Sequence, residues 1–458
     1  MNAFFNPKSI VVFGASNKPF SLGASVCRVI EYLKFPSPVY VVNSKGEDVH
    51  GYQGFTSLDQ IPPENDPIDL AIILTPAQTL PKIIEACGQK GIKRAIIESA
   101  GFSEVGEEGE KLQKEMTMVA QKYDVRFLGP NCLGTLSLPN KFTCFFGITP
   151  EIYGDIFEKP GTISYIIQSG GVGSLIMDSF QSDVVNVNKM VSIGNKEDLD
   201  EADLIEYFNQ DQTEVIGMYL ESVKNGRRFF ATAQKSKKPI LVYKVGRTKA
   251  GSQAAKSHTA GLANNDRIFE AACKQAGVAR LKSISELHSI PKMFTTMPLL
   301  QGKRIAIFTN SGAFGGISSD LLIEAGFEIP LLSDSIQKKL NKVGKVYNSK
   351  NPIDLGPTFS KDIFNEIFQI LLSSDEIDGL LAVPNIWQPI IIEAVKDLVN
   401  LCQKYQKPAA IYIPAASEII IKIRKESGLP SFETPEEAVR ALAISHAYYL
   451  FKEKNNLN

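Results

Sequence analysis

The chain has 458 residues, too many for one ordinary hydrophobic core, so two to four domains are expected. Its 49 Lys and Arg balance 50 Asp and Glu to a net charge of −1, which offers no polyelectrolyte field and argues against nucleic acid as a partner. A hydrophobic share of 44% is that of a soluble globular protein, and six scattered cysteines without a CxxC pair read as reduced thiols, not as a disulfide frame or a zinc site.

The opening stretch, "MNAFFNPKSIVVFGAS", moves straight into a strand and a turn. It lacks a basic region ahead of a long apolar core, and no run reaches membrane length, so a cytoplasmic protein with no membrane partner is expected. Short β-branched runs then alternate with helical stretches: "SIVVFG", "PVYVVN", "LAIILT", "RAIIES" and "VRFLG". That rhythm predicts βαβ units and a parallel sheet covered on both faces. New starts stand at "KPGTISYIIQSGG" and "QGKRIAIFTNSGAFGG", both reading strand, Ser-Gly, helix. Domains are placed at 1–145, 155–295 and 301–458, an α/β chain throughout. Ligands of such open sheets sit beyond the carboxyl ends of the strands.

The first such end is "FGASNKPFSLG", offering Gly14, Ser16, Ser21 and Gly23 ahead of a helix whose free N–H groups can face an anion. A turn whose glycines only satisfy geometry is the competing reading. The dinucleotide fingerprint G-x-G-x-x-G is absent, which counts against a nicotinamide oxidoreductase. Later strand ends add Asn43 and Lys45, Thr75 and Pro76, Ser99, Ala100 and Gly101, and Asn131. A lysine after the second strand suits an additional phosphate, where an acid would clasp a ribose hydroxyl. A phosphorylated adenine nucleotide fits.

"FGASNKPFSLG", "ESAGFSE" and "GPNCLGT" resemble the CoA-binding domain of the nucleoside-diphosphate-forming acyl-CoA synthetases, relatives of succinyl-CoA synthetase. "VSIGNKEDLDEADLIEYF", "YLESVKNGRRF" and "KSHTAGLA" are similar to the second domain of that family, and "NPIDLG" with "TPEEAVRALA" resembles its additional flavodoxin-like unit. The likeness covers essentially the whole chain. It implies a Rossmann-like CoA-binding domain followed by two flavodoxin-like open parallel-sheet domains. It also implies that the strand-end residues above hold CoA.

The resemblance makes His258, in the small-residue segment "AAKSHTAGLANND", the phosphorylated histidine on a loop that carries phosphate between two sites. Imidazole is nucleophilic near neutral pH and needs no metal to act; an exposed loop histidine is the alternative. Glu221 is implied as the carboxylate that orients the ring, against a solvated acid paired with Arg227 or Arg228. Ser169, Gly170 and Gly171 open a helix and are implied to cradle the phosphate. In "NSGAFGG" the corresponding turn has no histidine partner and reads as structural. Cys132 reads as a small residue near bound CoA rather than a nucleophile, and no resident metal site is expected.

No G-x-x-x-x-G-K-[ST] loop and no ATP-grasp segment is found, although phosphoryl transfer to a nucleotide needs ADP and Mg²⁺. The resemblance therefore implies an α subunit of an ADP-forming acyl-CoA ligase, with acetyl as the default acyl group. It would take its nucleotide site from a separate ATP-grasp β subunit, as an α2β2 assembly. A non-catalytic CoA sensor or scaffold is the alternative; retention of both His258 and Glu221 counts against it.

Overall fold

The structure is a computed structural model that describes all residues except 63–66, 149, 180–186, 259–264, 386–389, 428–430 and 458. The chain divides into two compact units, Met1–Gln181 with Val185–Leu281, and Lys282–Asn458.

The first unit begins with β1 (Ile10–Phe13), α1 (Leu22–Tyr32), β2 (Val39–Val42), β3 (Gly54–Phe55), β4 (Leu70–Ile73), α2 (Leu80–Gln89), β5 (Arg94–Ile97), α3 (Glu107–Lys122) and β6 (Arg126–Leu128). These strands form one parallel sheet in the order β3-β2-β1-β4-β5-β6. β1, β2 and β4 are buried along their whole lengths, which is why they read as continuous apolar runs and not as alternating ones. This is the Rossmann order, and its direction reverses between β1 and β4. Val12 sits in register with Val41 on one side and Ile72 on the other, so Gly14 and Thr75 emerge together at that switch point.

The second sheet takes β7 (Thr135–Ser137) and β8 (Phe142–Thr143), then follows α4 (Pro150–Tyr153) with β9 (Ile163–Ile167), α5 (Gly170–Ser179), β10 (Val187–Ser192), α6 (Glu201–Phe208), β11 (Val215–Leu220), α7 (Gly226–Gln234), β12 (Ile240–Lys244), α8 (Lys249–His258), α9 (Asp266–Gln275) and β13 (Ala279–Arg280). Its order is β13-β12-β11-β9-β10-β7-β8, with β7 antiparallel to both β10 and β8 and the remaining pairs parallel. The five parallel strands have the flavodoxin order, whose switch point lies between β9 and β11. Ser169 follows the first of these strands and Glu221 the second.

One local expectation is corrected. The segment around His258 is not an open loop up to the histidine: Lys249–His258 is helical, with Thr248 Oγ1 accepting from the Gly251 N–H at 3.0 Å to start it. Gln253, Ala254, Ala255 and Lys256 are good helix formers, and they outweigh the small and hydroxylated residues that suggested a loop. The expected continuation of the loop, 259–264, lies outside the described residues.

The second unit contains α10 (Ile284–Thr296), β14 (Ile305–Thr309), α11 (Gly312–Glu324), α12 (Asp334–Val343), β15 (Ile353–Asp354), α13 (Lys361–Leu372), β16 (Gly379–Val383), α14 (Ile390–Tyr405), β17 (Ala409–Tyr412), α15 (Ser417–Ser427), β18 (Ser431–Phe432) and α16 (Pro435–Asn455). Its parallel sheet, β15-β14-β16-β17-β18, repeats the flavodoxin order. The "NPIDLG" stretch is structural here: the Asn351 amide accepts from the Ile307 N–H and donates to the carbonyls of Ile305 and Pro330. α10 belongs to this unit through the Glu286–Arg440 ion pair to α16. No helix among the described residues is long and apolar enough to cross a membrane.

Candidate active site

At the β1/β4 switch point lies a cavity of about 580 Å³ lined by Gly14, Ser16, Asn43, Lys45, Thr75 and Pro76, six of the residues expected to hold CoA. Gly14 has φ +83°, and a Cβ there would come within 3.1 Å of the Leu74 carbonyl. Gly23 lets α1 press on this turn: its Cβ would stand 2.2 Å from the Gly14 oxygen. Ser21 caps α1 by accepting from the Ala24 N–H at 3.2 Å. Ser21 and Gly23 therefore shape the turn without lining the cavity.

Asn43 and Lys45 differ in what they can offer. The Asn43 amide is spent inside its own loop, accepting from the N–H groups of Lys45 and Glu47 and donating to the Glu47 carbonyl. Lys45 is 73% exposed and 3.4 Å from Glu47. An exposed contact of that kind is worth only about 0.2–1 kcal/mol, so Lys45→Ala should weaken CoA up to about fivefold and leave dephospho-CoA nearly unchanged. Calorimetry with both ligands checks this, and an equal loss for the two would remove Lys45 as a reader of the extra phosphate. Sequence reasoning passed over Lys82, an exposed cation that α2 brings to the same cavity.

A second cavity of about 460 Å³ brings together Ser99, Ala100, Asn131, Ser169, Gly170 and Glu221. Leu74, beside Thr75 of the first cavity, also lines it. Its wall is tightly specified. Asn131 has φ +59°, and its N–H donates to the Ser99 carbonyl at 2.9 Å. Gly194 fits beneath it, since a Cβ would lie 2.2 Å from the Pro130 carbonyl. Asn195, which sequence reasoning missed, donates to Glu104 Oε2 at 2.7 Å and to Gln113 Oε1 at 3.1 Å. Gly101, at φ +107°, gives its N–H to Glu104 Oε1 and lines neither cavity. Burial alone would raise the Glu104 carboxyl, but hydrogen bonds from Asn195, Gly101 and Phe102 win and hold it below its usual value.

Gln168 couples the two strands at the flavodoxin switch point. Its Oε1 accepts from the N–H groups of Glu221 and Ser222 at 2.8 and 3.1 Å, and its Nε2 donates to Ser222 Oγ at 3.2 Å. Glu221 is thereby held at the same edge as the Ser169 turn. Ser169 starts α5, its Oγ accepting from the Val172 N–H at 3.4 Å, and Gly170 and Gly171 occupy the first turn. Arg228 is engaged elsewhere, by Asp200 and Asp203, so it is not the partner that would make Glu221 a plain surface acid. Cys132 is buried against the Ile97 carbonyl, and desolvation pushes its thiol well up, so it is no ready nucleophile. His258 closes α8; its side chain lies outside the described residues. The other three histidines make local contacts: His50 with Glu31, His288 with Lys292, and His446 with the Leu300 carbonyl.

Two family models match these two sheets: a CoA binding domain over residues 8–137 and a succinyl-CoA ligase like flavodoxin domain over residues 160–294. A Rossmann sheet for CoA joined to a ligase-type flavodoxin sheet defines the class. The chain is 33% identical to the acetate–CoA ligase [ADP-forming] I subunit alpha of Pyrococcus furiosus, over 99% of each chain. It is 34% identical to the corresponding II subunit alpha of the same organism, over 100% of this chain and 98% of the relative. The dinucleotide-forming acetyl-coenzyme A synthetase 1 of Ca. Korarchaeum cryptofilum, solved with phosphate and ADP, superposes with a TM-score of 0.88 at 29% identity, covering 99% of this chain and 98% of the other. The chain belongs to the family of ADP-forming acetate–CoA ligase alpha subunits.

Proposed function

We propose that this chain is the CoA-binding, phosphohistidine-carrying α subunit of an ADP-forming acyl-CoA ligase, with acetyl-CoA as the default substrate. Its functional regions are 1–145 for CoA, 155–295 for phosphoryl transfer and 301–458 as a further flavodoxin-like unit. The observation that carries this reading is the second cavity. It gathers a helix-start anion cradle at Ser169 and Gly170, the Glu221 carboxylate, and the Ser99–Asn131 wall of the CoA-binding sheet.

In the proposed reaction a phosphate oxygen attacks the thioester carbonyl held at this cavity, the C–S bond breaks, and CoA leaves with the electron pair on sulfur. The N–H groups at the start of α5 stabilise the phosphate. His258 then attacks phosphorus of the acyl phosphate, and the carboxylate departs. Glu221 orients the imidazole and supports the positive charge that grows on it. Finally ADP takes the phosphoryl group and ATP forms. We place the nucleotide and Mg²⁺ on an ATP-grasp β subunit, in an α2β2 assembly working in the cytoplasm. The subunit naming of the Pyrococcus relatives supports a separate partner.

The test is ATP formation from acetyl-CoA, ADP and phosphate, first with this chain alone and then with a candidate β subunit added. Turnover is expected only in the second case. Full turnover by the chain alone would sink the divided-site reading, and CoA binding without any turnover in either case would favour a sensor.

A further inference from the structure

Glu98 is the residue of the second cavity for which the reaction above gives no account. It follows β5 directly, is 4% exposed, and lines the cavity beside Ser99. Neither carboxyl oxygen has a hydrogen-bond partner among the described residues. Nearby donors are committed elsewhere. The Ser99 hydroxyl donates to the Thr75 and Ile73 carbonyls, and the Cys132 thiol faces the Ile97 carbonyl. The Cys144 thiol, a weak donor 3.9 Å from the Thr135 carbonyl, also pulls on Glu98 without closing a hydrogen bond of ordinary geometry to it. Space is kept for the carboxyl group: Gly134, at φ +95°, has no side chain, and a Cβ there would lie 2.8 Å from Glu98 Oε1.

Buried carboxyl groups ordinarily find partners, and an orphaned one carries a cost that calls for a use. Desolvation pushes the Glu98 carboxyl well above the usual carboxylate range, with the Cys144 thiol pulling back, which favours its protonated form. The other titratable groups lining the cavity are Cys132 and Glu221. Burial pushes the thiol of the first well up, and the second is reserved for the histidine.

Resting on the function proposed above, we infer that Glu98 is the proton donor and acceptor for the CoA thiol. When phosphate attacks the thioester, the C–O bond to phosphate forms, the C–S bond breaks, and its electron pair goes to sulfur. Glu98 supplies the proton that turns the thiolate into the free thiol, and the proton lost by the attacking hydrogen phosphate restores the carboxyl. In the reverse direction the Glu98 carboxylate takes the thiol proton as sulfur attacks the acyl phosphate. Raising a carboxyl above its usual range brings its proton affinity closer to that of a thiol, which lowers the cost of exchanging a proton between them in either direction.

The experiment uses the enzyme complete with its partner subunit, as wild type and as Glu98→Gln. Two routes to the phosphohistidine are compared: acetyl-CoA with radioactive phosphate, which passes through the thiol step, and radioactive acetyl phosphate, which avoids it. Glu98→Gln should slow the first route by about 10²–10⁴-fold and leave the second and the affinity for CoA unchanged. An equal loss by both routes would make Glu98 structural, and no loss in either would make it a spectator; each result overturns the inference. Thiol release from acetyl-CoA is read in the same reactions. A wild type that releases thiol in a phosphate-dependent manner but takes no histidine label would overturn the phosphohistidine reading alone, and the thiol readout would still judge Glu98.

Discussion

The His258→Ala chain, paired with its partner subunit, is expected to form no acid-labile, base-stable phosphoprotein and to lose turnover by at least about 10⁴-fold, the scale at which losing a nucleophile stops an enzyme. No other histidine is placed to substitute. His50 is tied to Glu31, His446 donates from Nδ1 to the Leu300 carbonyl, and His288 faces Lys292. CoA affinity should hold, because the first cavity is built by Gly14, Thr75 and their neighbours on the Rossmann sheet. Phosphate-dependent thiol release from acetyl-CoA should also survive for a single turnover, since that step precedes the histidine. Calorimetry, a rapid-quench thiol assay and phosphoprotein detection read the three outcomes separately. Normal labelling of the variant would end the assignment.

Lys196→Ala should be the most damaging substitution for stability around the site. Lys196 Nζ lies 2.9 Å from Glu201 Oε2 and donates to the Ser222 carbonyl at 2.6 Å, and the two side chains are 0% and 2% exposed. Removing the lysine leaves a carboxylate with its charge buried and uncompensated, which costs about 3–5 kcal/mol. It also releases Ser222, the neighbour of Glu221, so the Glu221 carboxylate should lose its fixed place as the fold weakens. Urea unfolding measures the first effect. Exchanging the pair for apolar residues, as in Lys196→Met with Glu201→Leu, should recover most of the stability, because the desolvation penalty disappears along with the attraction. A loss below about 1 kcal/mol in the single variant would place this pair with ordinary surface bridges.

Most of the site could be found from sequence because parallel βα units deliver every strand's carboxyl end to one edge. Gly14, Asn43, Thr75 and Ser99 were recognisable as the residues that end four apolar runs, and Ser169 and Glu221 as the ends of two more. Glu98 was not, although it ends "RAIIE" in full view. A continuous apolar run conceals which face each residue takes, and a glutamate after such a run reads as the first solvated residue of a loop. Its burial is set by Gly134 and the cysteines, more than thirty positions on, and pairings at that range leave no local pattern. Asn43 lines the first cavity as expected, but its amide also folds its own turn, a use that no local pattern announced. The α8 helix escaped because hydroxyl and glycine residues around His258 signal a loop, and a run of only four good helix formers is too short to outweigh them by pattern alone.

The β7–β8 hairpin has a bearing on how such chains can be recombined. Both strands precede the first strand of the flavodoxin sheet, yet they hydrogen-bond along its far edge, and Thr135 Oγ1 reaches back to the Phe4 carbonyl. The link between β6 and this hairpin is the Gly129–Gly134 turn, whose Asn131, Cys132 and Leu133 line the second cavity. A chimaera that exchanged the first sheet for that of a relative would therefore have to be joined through the wall of that cavity, or else strip two strands from the neighbouring sheet. Acyl preference in this architecture is expected to change by residue-by-residue substitution inside an intact pair of sheets, and not by trading one half as a cassette.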